Sequence, residues 1–341
     1  MKNFILQNEN AIYFECKFSC DNVIFLNLGD EKYFITDARY ITEALEYAKK
    51  CQVIQSSNLI ETTKEILKKN KIKKIIFDPN DFSYATYTNL SENLKTQFIA
   101  KPNFSKLKRI IKTDKEIILL KKAAMAGREG FKELAKYIKK NGFEQNEQFL
   151  YFKAFEKMSQ IGKLDISFEP IVAINENAAK PHALPTSKKL KLNDLLLVDA
   201  GVKYKRYCSD RTCTSAVDFE KFSFKREQNF KNEKYQKIYD IVLKAQLNAI
   251  EKVRVGMKAS QVDKLTRDII EKSGFGKYFI HSTGHGVGLD IHEFPNINSK
   301  SDVIIENNMV FTIEPGIYLP NEFGVRIEDT IVMQNGKAVI L

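Results

Sequence analysis

Residues 281–293 read HSTGHGVGLDIHE and hold three of the chain's four histidines, at positions 281, 285 and 292. Glycine stands at 284, 286 and 288, so every second residue through the middle of this stretch lacks a side chain. Glycine disfavours a regular helix and lets neighbouring backbone approach closely. We therefore interpret the segment as an extended ribbon that brings imidazoles to one place, where the rest of the chain must supply their partners.

The composition is that of an ordinary globular protein. The 341 residues suggest about two domains, and 43% of them are apolar. The net charge of +11 comes mostly from scattered lysines, which favours a solvated surface and argues against nucleic-acid binding. The five cysteines form no C-x-x-C pair, as expected of free thiols in a reducing compartment. With no signal-peptide run and no long apolar stretch, we expect a cytoplasmic protein without membrane contact.

The first third of the sequence alternates short strand patterns with helical ones. The runs NVIFLNLG, KYFIT, QVIQ and KKIIFD have the apolar character of strands, whereas DARYITEALEYAKK and LIETTKEILKKN have helical periodicity. The stretch around Cys16 and Cys20 also resembles a strand. This alternation predicts a small α/β domain.

The pattern changes near residues 105–115, and we assign one domain to residues 1–108 and a second to residues 109–341. Thr113 and Glu116 have the spacing of a capping box before helical sequence that ends at Gly142. Further on, helical patterns alternate with strand patterns that lie close together in pairs. Such closely spaced strands favour antiparallel pairing over a doubly wound parallel sheet, so the fold class is α+β.

Four acids stand in strand-like runs where charge is rare: Asp199 in DLLLVDAG, Asp210 in YCSDRTCTSAV, Glu314 in NMVFTIEPGIY and Glu328 in GVRIEDTIVM. At about 4 Å and an effective dielectric near 20, each like-charge pair costs about 4 kcal/mol. A fold keeps such a cluster if the acids are protonated, paired with cations or bound to metal. Two divalent ions would balance four carboxylates, and oxygen ligands plus one imidazole suit manganese, cobalt, zinc or iron.

The segments VDAG, SDRTCT, GHGVGLDIHE, TIEPGIY and GVRIEDT resemble, in order and spacing, those of the pita-bread metallopeptidases. That family includes methionine aminopeptidases, Xaa-Pro aminopeptidases, Xaa-Pro dipeptidases and creatinases. FITDARYITEA is similar to a creatinase-type N-terminal domain, and RIIKTDKEI to the start of the catalytic domain. The resemblance implies a creatinase-like α/β domain followed by a pita-bread domain, whose curved antiparallel sheet is flanked by helices.

The resemblance also implies a metal site and its ligands. Asp199 would chelate one ion, and Asp210 and Glu328 would bridge two. His285 and Glu314 would complete the second ion. Manganese is favoured, with cobalt, zinc and iron as alternatives.

The remaining histidines receive roles from the same resemblance. His292 would stand near the scissile carbonyl, and His182, in AAKPHALPTS, on the substrate side. Glu314 would also act as general base. His281 would contact either the side chains that bind the metal or the leaving group. A purely structural role for His281 is equally open.

Three further residues receive weaker assignments. Arg326, two residues before Glu328, would pair with the carboxylates or lie on a surface strand. Tyr318 and Phe323 are candidates for the substrate side.

The expected function is hydrolysis of the peptide bond before proline, through a hydroxide that bridges two metal ions. Substrates would be peptides with proline in second position, and the choice between aminopeptidase and dipeptidase stays open. A homodimer is expected because members of the family are often dimers. The alternatives are a creatinase-like C–N hydrolase and a non-catalytic pita-bread binding protein.

Overall fold

The computed structural model describes residues 3–341. These residues divide into two compact units, one that ends at Lys108 and one that comprises Arg109–Leu341. The elements of the first unit are, in chain order, β1 (Asn3–Leu6), α1 (Glu9–Cys16), β2 (Val23–Leu28), β3 (Glu31–Thr36), α2 (Ile41–Tyr47), β4 (Gln52–Gln55), α3 (Leu59–Lys69), β5 (Lys74–Phe77), α4 (Tyr84–Ser91), β6 (Gln97–Ala100) and α5 (Phe104–Lys108). Six described strands form one sheet in the order β4-β3-β2-β1-β5-β6.

This first sheet is buried on both faces. Strands β1, β2 and β3 pair antiparallel, whereas the pairs β3–β4, β1–β5 and β5–β6 are parallel. Alternate residues of β2 point to opposite sides, so Phe25 joins one apolar cluster and Ile24 and Leu26 join the other. The predicted α/β alternation is confirmed.

The strand-like interpretation around Cys16 is wrong, because Cys16 ends helix α1. Asn8 caps that helix by accepting a hydrogen bond from the backbone N–H of Ala11 at 3.0 Å. The run AIYFEC is apolar enough for either a strand or a helix, and the cap at Asn8 favours the helix. Cys20 lies beyond the helix in an irregular segment.

The second unit contains two pairs of consecutive helices and several antiparallel sheets. Its elements are α6 (Asp114–Asn141), α7 (Glu147–Met158), β7 (Asp165–Ile166), β8 (Ile171–Ile174), β9 (Leu195–Ala200), β10 (Val202–Tyr204), β11 (Tyr207–Cys208), β12 (Arg211–Ala216), α8 (Glu233–Lys252), α9 (Ala259–Lys272), β13 (Gly284–Gly286), β14 (Glu293–Ile297), β15 (Val310–Ile313), β16 (Gly316–Leu319), β17 (Phe323–Arg326), β18 (Asp329–Gln334) and β19 (Lys337–Ile340), with 3₁₀ turns at Asn175–Ala179 and Gly276–Tyr278. Helices α6 and α7 form one of the two pairs, and α8 and α9 form the other. The predicted capping box of Thr113 and Glu116 is confirmed at the start of α6.

Antiparallel pairing in this unit brings residues that are far apart in sequence close together. Strands β8, β9 and β12 form one sheet, and β13, β14, β15, β18 and β19 form another. In the first, Asp199 of β9 is paired with Thr212 of β12. In the second, Ile313 is paired with Asp329, which places Glu314 and Glu328 at the same end of the sheet. The backbone N–H of Glu328 donates to the carbonyl of Thr212 at 3.0 Å and so joins the two sheets.

No helix within residues 3–341 has both the length and the apolar character that crossing a bilayer would require.

Candidate metal centre and active site

One cavity of about 600 Å³ in the second unit receives the five predicted metal ligands and the four histidines. Its wall includes Asp199, Asp210, His285, Glu314, Glu328, His182, His281, His292 and Arg326. All four histidines of the sequence therefore face one space. This volume is in the usual range for a site that holds a small ligand.

Three of the four acids lie at breaks between strands, which corrects the expectation that they stand inside continuous strands. Asp210 lies between β11 and β12, Glu314 between β15 and β16, and Glu328 between β17 and β18. Asp199 alone among the four acids lies within a strand, β9. At such a break the backbone leaves the sheet's alternation, and the side chain can turn into the cavity.

The acids converge on His285. Its Nε2 lies 3.5 Å from Oδ2 of Asp210 and 3.3 Å from Oε1 of Glu314. Ligand atoms of Asp210, His285 and Glu328 all lie within 4.8 Å of one another. Asp199 lies in the same cavity, where its Oδ2 accepts a hydrogen bond from Nη2 of Arg326 at 2.6 Å.

Burial and mutual repulsion disfavour the charged forms of these acids. Burial, and then the charge of Asp199, raise the pKa of Asp210 well above its ordinary value. Burial and the charge of Asp210 do the same to the pKa of Glu328. Burial also raises the pKa of Glu314 to about 7. A cation among the carboxylates would offset this cost.

The residues present fit a divalent cation. Within the described part of the chain, Oδ1 of Asp199 and Oε1 of Glu328 are buried without a hydrogen-bond partner. Orphaned buried oxygens are rare, and an ion is one of the groups that can satisfy them. Nδ1 of His285 lies 3.1 Å from the carbonyl oxygen of Gly286, which can only accept, so Nδ1 carries the proton. The Nε2 lone pair therefore faces the acids, as metal coordination requires.

The alternating glycines explain how His285 reaches this position. A Cβ on Gly284 would lie 2.0 Å from the carbonyl oxygen of Thr312, and a Cβ on Gly286 would lie 2.1 Å from that of Phe294. Only glycine lets β13 lie this close to both neighbours. The segment is not helical, but it is extended only around Gly284–Gly286 and bends through residues 288–292, so the interpretation of 281–293 as an extended ribbon holds for its centre alone. The pairing with β14 shifts register directly after His285.

A chain of hydrogen bonds leads from Asp199 to His281. Nη1 of Arg326 donates to the Tyr318 hydroxyl at 2.9 Å, and that hydroxyl lies 2.9 Å from Nε2 of His281. Nδ1 of His281 lies 2.8 Å from the Ser282 carbonyl, so Nδ1 carries the proton and Nε2 accepts from Tyr318. Burial lowers the pKa of His281 to about 4, which keeps the ring neutral and able to accept.

These contacts also decide two of the weaker assignments. The predicted pairing of Arg326 with a carboxylate is confirmed. Phe323 does not reach the substrate side, because it is buried and its ring lies 4.4 Å from that of Tyr235. Tyr318 is also buried, and its contacts run to Arg326 and His281.

Replacing Tyr318 with phenylalanine is expected to lower kcat/KM about tenfold. The hydroxyl accepts from Arg326, which in turn donates to the proposed ligand Asp199, and it donates to His281. Direct partners of metal ligands are typically worth about 10- to 100-fold in affinity or activity, and Tyr318 acts through such a partner, so we expect the lower end of this range. Steady-state kinetics on Tyr318→Phe checks this, with Tyr278→Phe as the matched control outside the chain of hydrogen bonds. Equal activity of the two variants would contradict a role for this hydroxyl.

A buried ionic cluster that the sequence did not reveal fixes the other end of the ribbon. Glu293, next to His292, accepts from Nζ of Lys112 at 2.7 Å and from Nε of Arg109 at 3.1 Å. Arg109 also donates to Asp290 at 2.5 Å. Burial alone would raise the pKa of Glu293, but the charges of Lys112 and Arg109 outweigh it and hold that pKa below its ordinary value. The cluster locks the turn that presents His292, whose ring centroid lies 4.3 Å from that of His285.

Fold and cavity together are those of a metallopeptidase with a pita-bread catalytic domain. The chain belongs to metallopeptidase family M24, whose family model matches residues 118–335, and the creatinase/prolidase N-terminal domain model matches residues 1–117. The Xaa-Pro dipeptidase of Pyrococcus furiosus is 33% identical over 336 residues, which cover 98% of this chain and 91% of that protein.

Solved structures agree with this assignment. An Xaa-Pro dipeptidase from Bacillus anthracis superposes with a TM-score of 0.90 at 32% identity, covering 99% of this chain and 92% of that one. An X-Pro aminopeptidase from Thermotoga maritima superposes with a TM-score of 0.87 at 27% identity, covering 100% and 93%. The fold expected from the sequence, a creatinase-like α/β domain followed by a pita-bread domain, is therefore confirmed.

Proposed function

We propose that this chain is an Xaa-Pro peptidase, a metal-dependent exopeptidase that hydrolyses the peptide bond before proline. The proposal is supported by the names of its relatives, which include both Xaa-Pro dipeptidases and an X-Pro aminopeptidase. The observation that carries it is the convergence of four buried or half-buried carboxylates with His285 in one cavity. As an M24 peptidase, the chain acts on peptides, and we propose that proline follows the cleaved bond.

Five side chains would hold two divalent ions: Asp199, Asp210, His285, Glu314 and Glu328. Manganese is the proposed metal, with cobalt, zinc or iron as alternatives. When bound, the ions would supply a water activated at neutral pH and a Lewis acid for the scissile carbonyl.

The chain's own residues would orient the substrate and move the proton. Glu314, whose Oε1 accepts from the Thr312 hydroxyl at 2.9 Å, would take a proton from the attacking water and pass it to the leaving nitrogen. His292 would donate to the oxygen that becomes negative in the transition state. His182, which also lines the cavity, would contact the substrate, and His281 would act through Tyr318 by holding Arg326 in place.

Chelation is expected to abolish cleavage of Xaa-Pro substrates, and added manganese to restore it. The test uses Ala-Pro, Ala-Pro-Ala and longer peptides with proline second, assayed after chelator treatment and after addition of each metal. Matched peptides with alanine in place of proline are the control for specificity. Preference for the dipeptide assigns a dipeptidase, and preference for longer peptides an aminopeptidase.

Two outcomes would contradict the proposal. Hydrolysis of creatine that ignores the chelator would favour a creatinase-like enzyme. Absence of hydrolysis with every metal, together with binding of RNA or a protein, would favour a non-catalytic binding protein. The homodimer and the cytoplasmic location stay predictions.

A further inference from the structure

Another buried carboxylate, Glu147, lies outside the cavity but contacts the loop that forms one of the cavity's walls. Glu147 is the first residue of α7 and is 0% exposed. The loop, residues 174–186, leaves β8 and carries His182. Five consecutive residues of it, 181–185, line the cavity.

Glu147 binds both ends of this loop through short hydrogen bonds. Its Oε1 accepts from the backbone N–H of Ile174 at 2.6 Å. Its Oε2 accepts from the backbone N–H of Thr186 at 2.7 Å and from the Thr186 hydroxyl at 2.6 Å. One carboxylate therefore closes the loop at its base.

Asn177 extends this anchor into the loop. Its Nδ2 donates to Oε2 of Glu147 at 2.8 Å and to the carbonyl of Leu184 at 3.0 Å. Leu184 is 81% exposed on the cavity side, so the loop combines an exposed rim with a fixed base. The carbonyl of Pro181 also accepts from Nη1 of Arg326 at 3.1 Å, which ties the loop to the side chain that holds Asp199.

The groups that donate hydrogen bonds to Glu147 are all neutral. Among the described residues, the four hydrogen bonds to Glu147 come from two backbone N–H groups, one amide and one hydroxyl, and none from a cation. Hydrogen bonds to an ionised acceptor are about twice as strong as neutral ones. An amide in place of the carboxylate would direct its own N–H groups at these donors and break part of the set.

We infer that Glu147 is a positioning residue that holds residues 174–186, and with them His182, at the substrate side of the cavity. It therefore sets KM and leaves kcat little changed. This inference rests on the proposed function. Within the described part of the chain, none of the groups that donate to the Glu147 carboxylate belongs to a proposed metal ligand, so loss of Glu147 should leave metal binding intact.

The test compares Glu147→Gln with Glu156→Gln, an isosteric change on the same helix at a half-buried surface ion pair. Glu147→Gln is expected to raise KM for an Xaa-Pro substrate about tenfold, with kcat within about threefold of the wild type. Thr186→Val, which removes one donor, is a milder variant if Glu147→Gln folds poorly, and a rise of about threefold in KM is expected. A fall in kcat at constant KM in Glu147→Gln would overturn the inference. Kinetics equal to those of the wild type in both Glu147→Gln and Thr186→Val would also overturn it.

Hydrogen exchange gives a readout that does not depend on activity. Faster exchange of amides in residues 174–186 is expected in Glu147→Gln, with residues 281–293 unchanged. If the wild type cleaves no Xaa-Pro peptide, the proposed function fails, while faster exchange would still support the anchor. If the wild type is active and residues 174–186 exchange at the wild-type rate in both Glu147→Gln and Thr186→Val, then Glu147 does not hold the loop, and the proposed function stands.

Discussion

Replacing Asp210 with asparagine is expected to lower kcat/KM for Xaa-Pro substrates by at least about a thousandfold. Even residues that merely orient a ligand are typically worth about 10- to 100-fold, and Asp210 would be a ligand itself. Asparagine keeps the side chain's shape but offers one neutral oxygen to the ions. Steady-state kinetics in saturating manganese measures the loss.

The stability of this variant separates lost chemistry from lost folding. Without metal, burial and the neighbouring acids already disfavour the charged form of Asp210, so Asp210→Asn should melt no lower than the metal-free wild type. Manganese should raise the melting temperature of the wild type and raise that of the variant much less. The control is Asp302→Asn, because Asp302 is 83% exposed and a surface ion pair contributes at most about 1 kcal/mol. Activity of Asp210→Asn within about tenfold of the wild type would exclude Asp210 as a ligand.

The second large effect is expected in stability, at the cluster that locks the turn beside His292. Lys112 is 2% exposed and donates to both Glu293 and the carbonyl of Arg109 at 2.7 Å. Removing one partner of a buried ion pair typically costs about 3–5 kcal/mol, because the remaining charge is left uncompensated. Arg109 still contacts Glu293, so we expect Lys112→Met to cost about 3 kcal/mol. In a unit of this size that lowers the melting temperature by about 6–12 °C.

Thermal unfolding of metal-loaded protein measures this effect. Lys132→Met is the control, since Lys132 forms an exposed ion pair with Glu129 on α6. In a double-mutant cycle, Lys112→Met combined with Glu293→Gln should cost less than the sum of the two single changes. Additive costs, or a melting temperature within about 2 °C of the control, would show that the cluster does not hold the turn.

The sequence predicts the kind of site well, because the metal-site residues carry unusual local signals. Charges in apolar runs mark Asp199 and Glu314, and alternating glycines mark the approach of His285. Local sequence likewise predicts the capping box of Thr113. Each of these signals lies within a few residues of the feature it predicts.

Arg326 was predicted to pair with a carboxylate, but two other groups that hold the site in place were not predictable in the same way. Glu147 is joined to Thr186, 39 positions away, and Lys112 to Glu293, 181 positions away. In the sequence, Glu147 looks like an ordinary acid in the first turn of a helix. The two cations of RIIK before the cap at Thr113, set among apolar residues, were a signal for the buried cluster, but no local pattern names their partner.

The strand breaks at Glu314 and Glu328 were missed for a related reason. The runs VFTIEPGIY and GVRIEDTIVM are apolar enough to be continuous strands, and the acids alone do not reveal where pairing stops. The break depends on which neighbour each half pairs with: β15 pairs with β18, and β16 pairs with β17. That choice is made by the tertiary structure.

The central claim is that divalent cations compensate the acids around His285. Anomalous diffraction from crystals of the manganese-loaded protein, recorded on both sides of the manganese absorption edge, tests it most directly. We predict two anomalous peaks within bonding distance of the five side chains Asp199, Asp210, His285, Glu314 and Glu328. No peak in this cavity at saturating manganese, with the protein still cleaving Xaa-Pro substrates, would contradict the account.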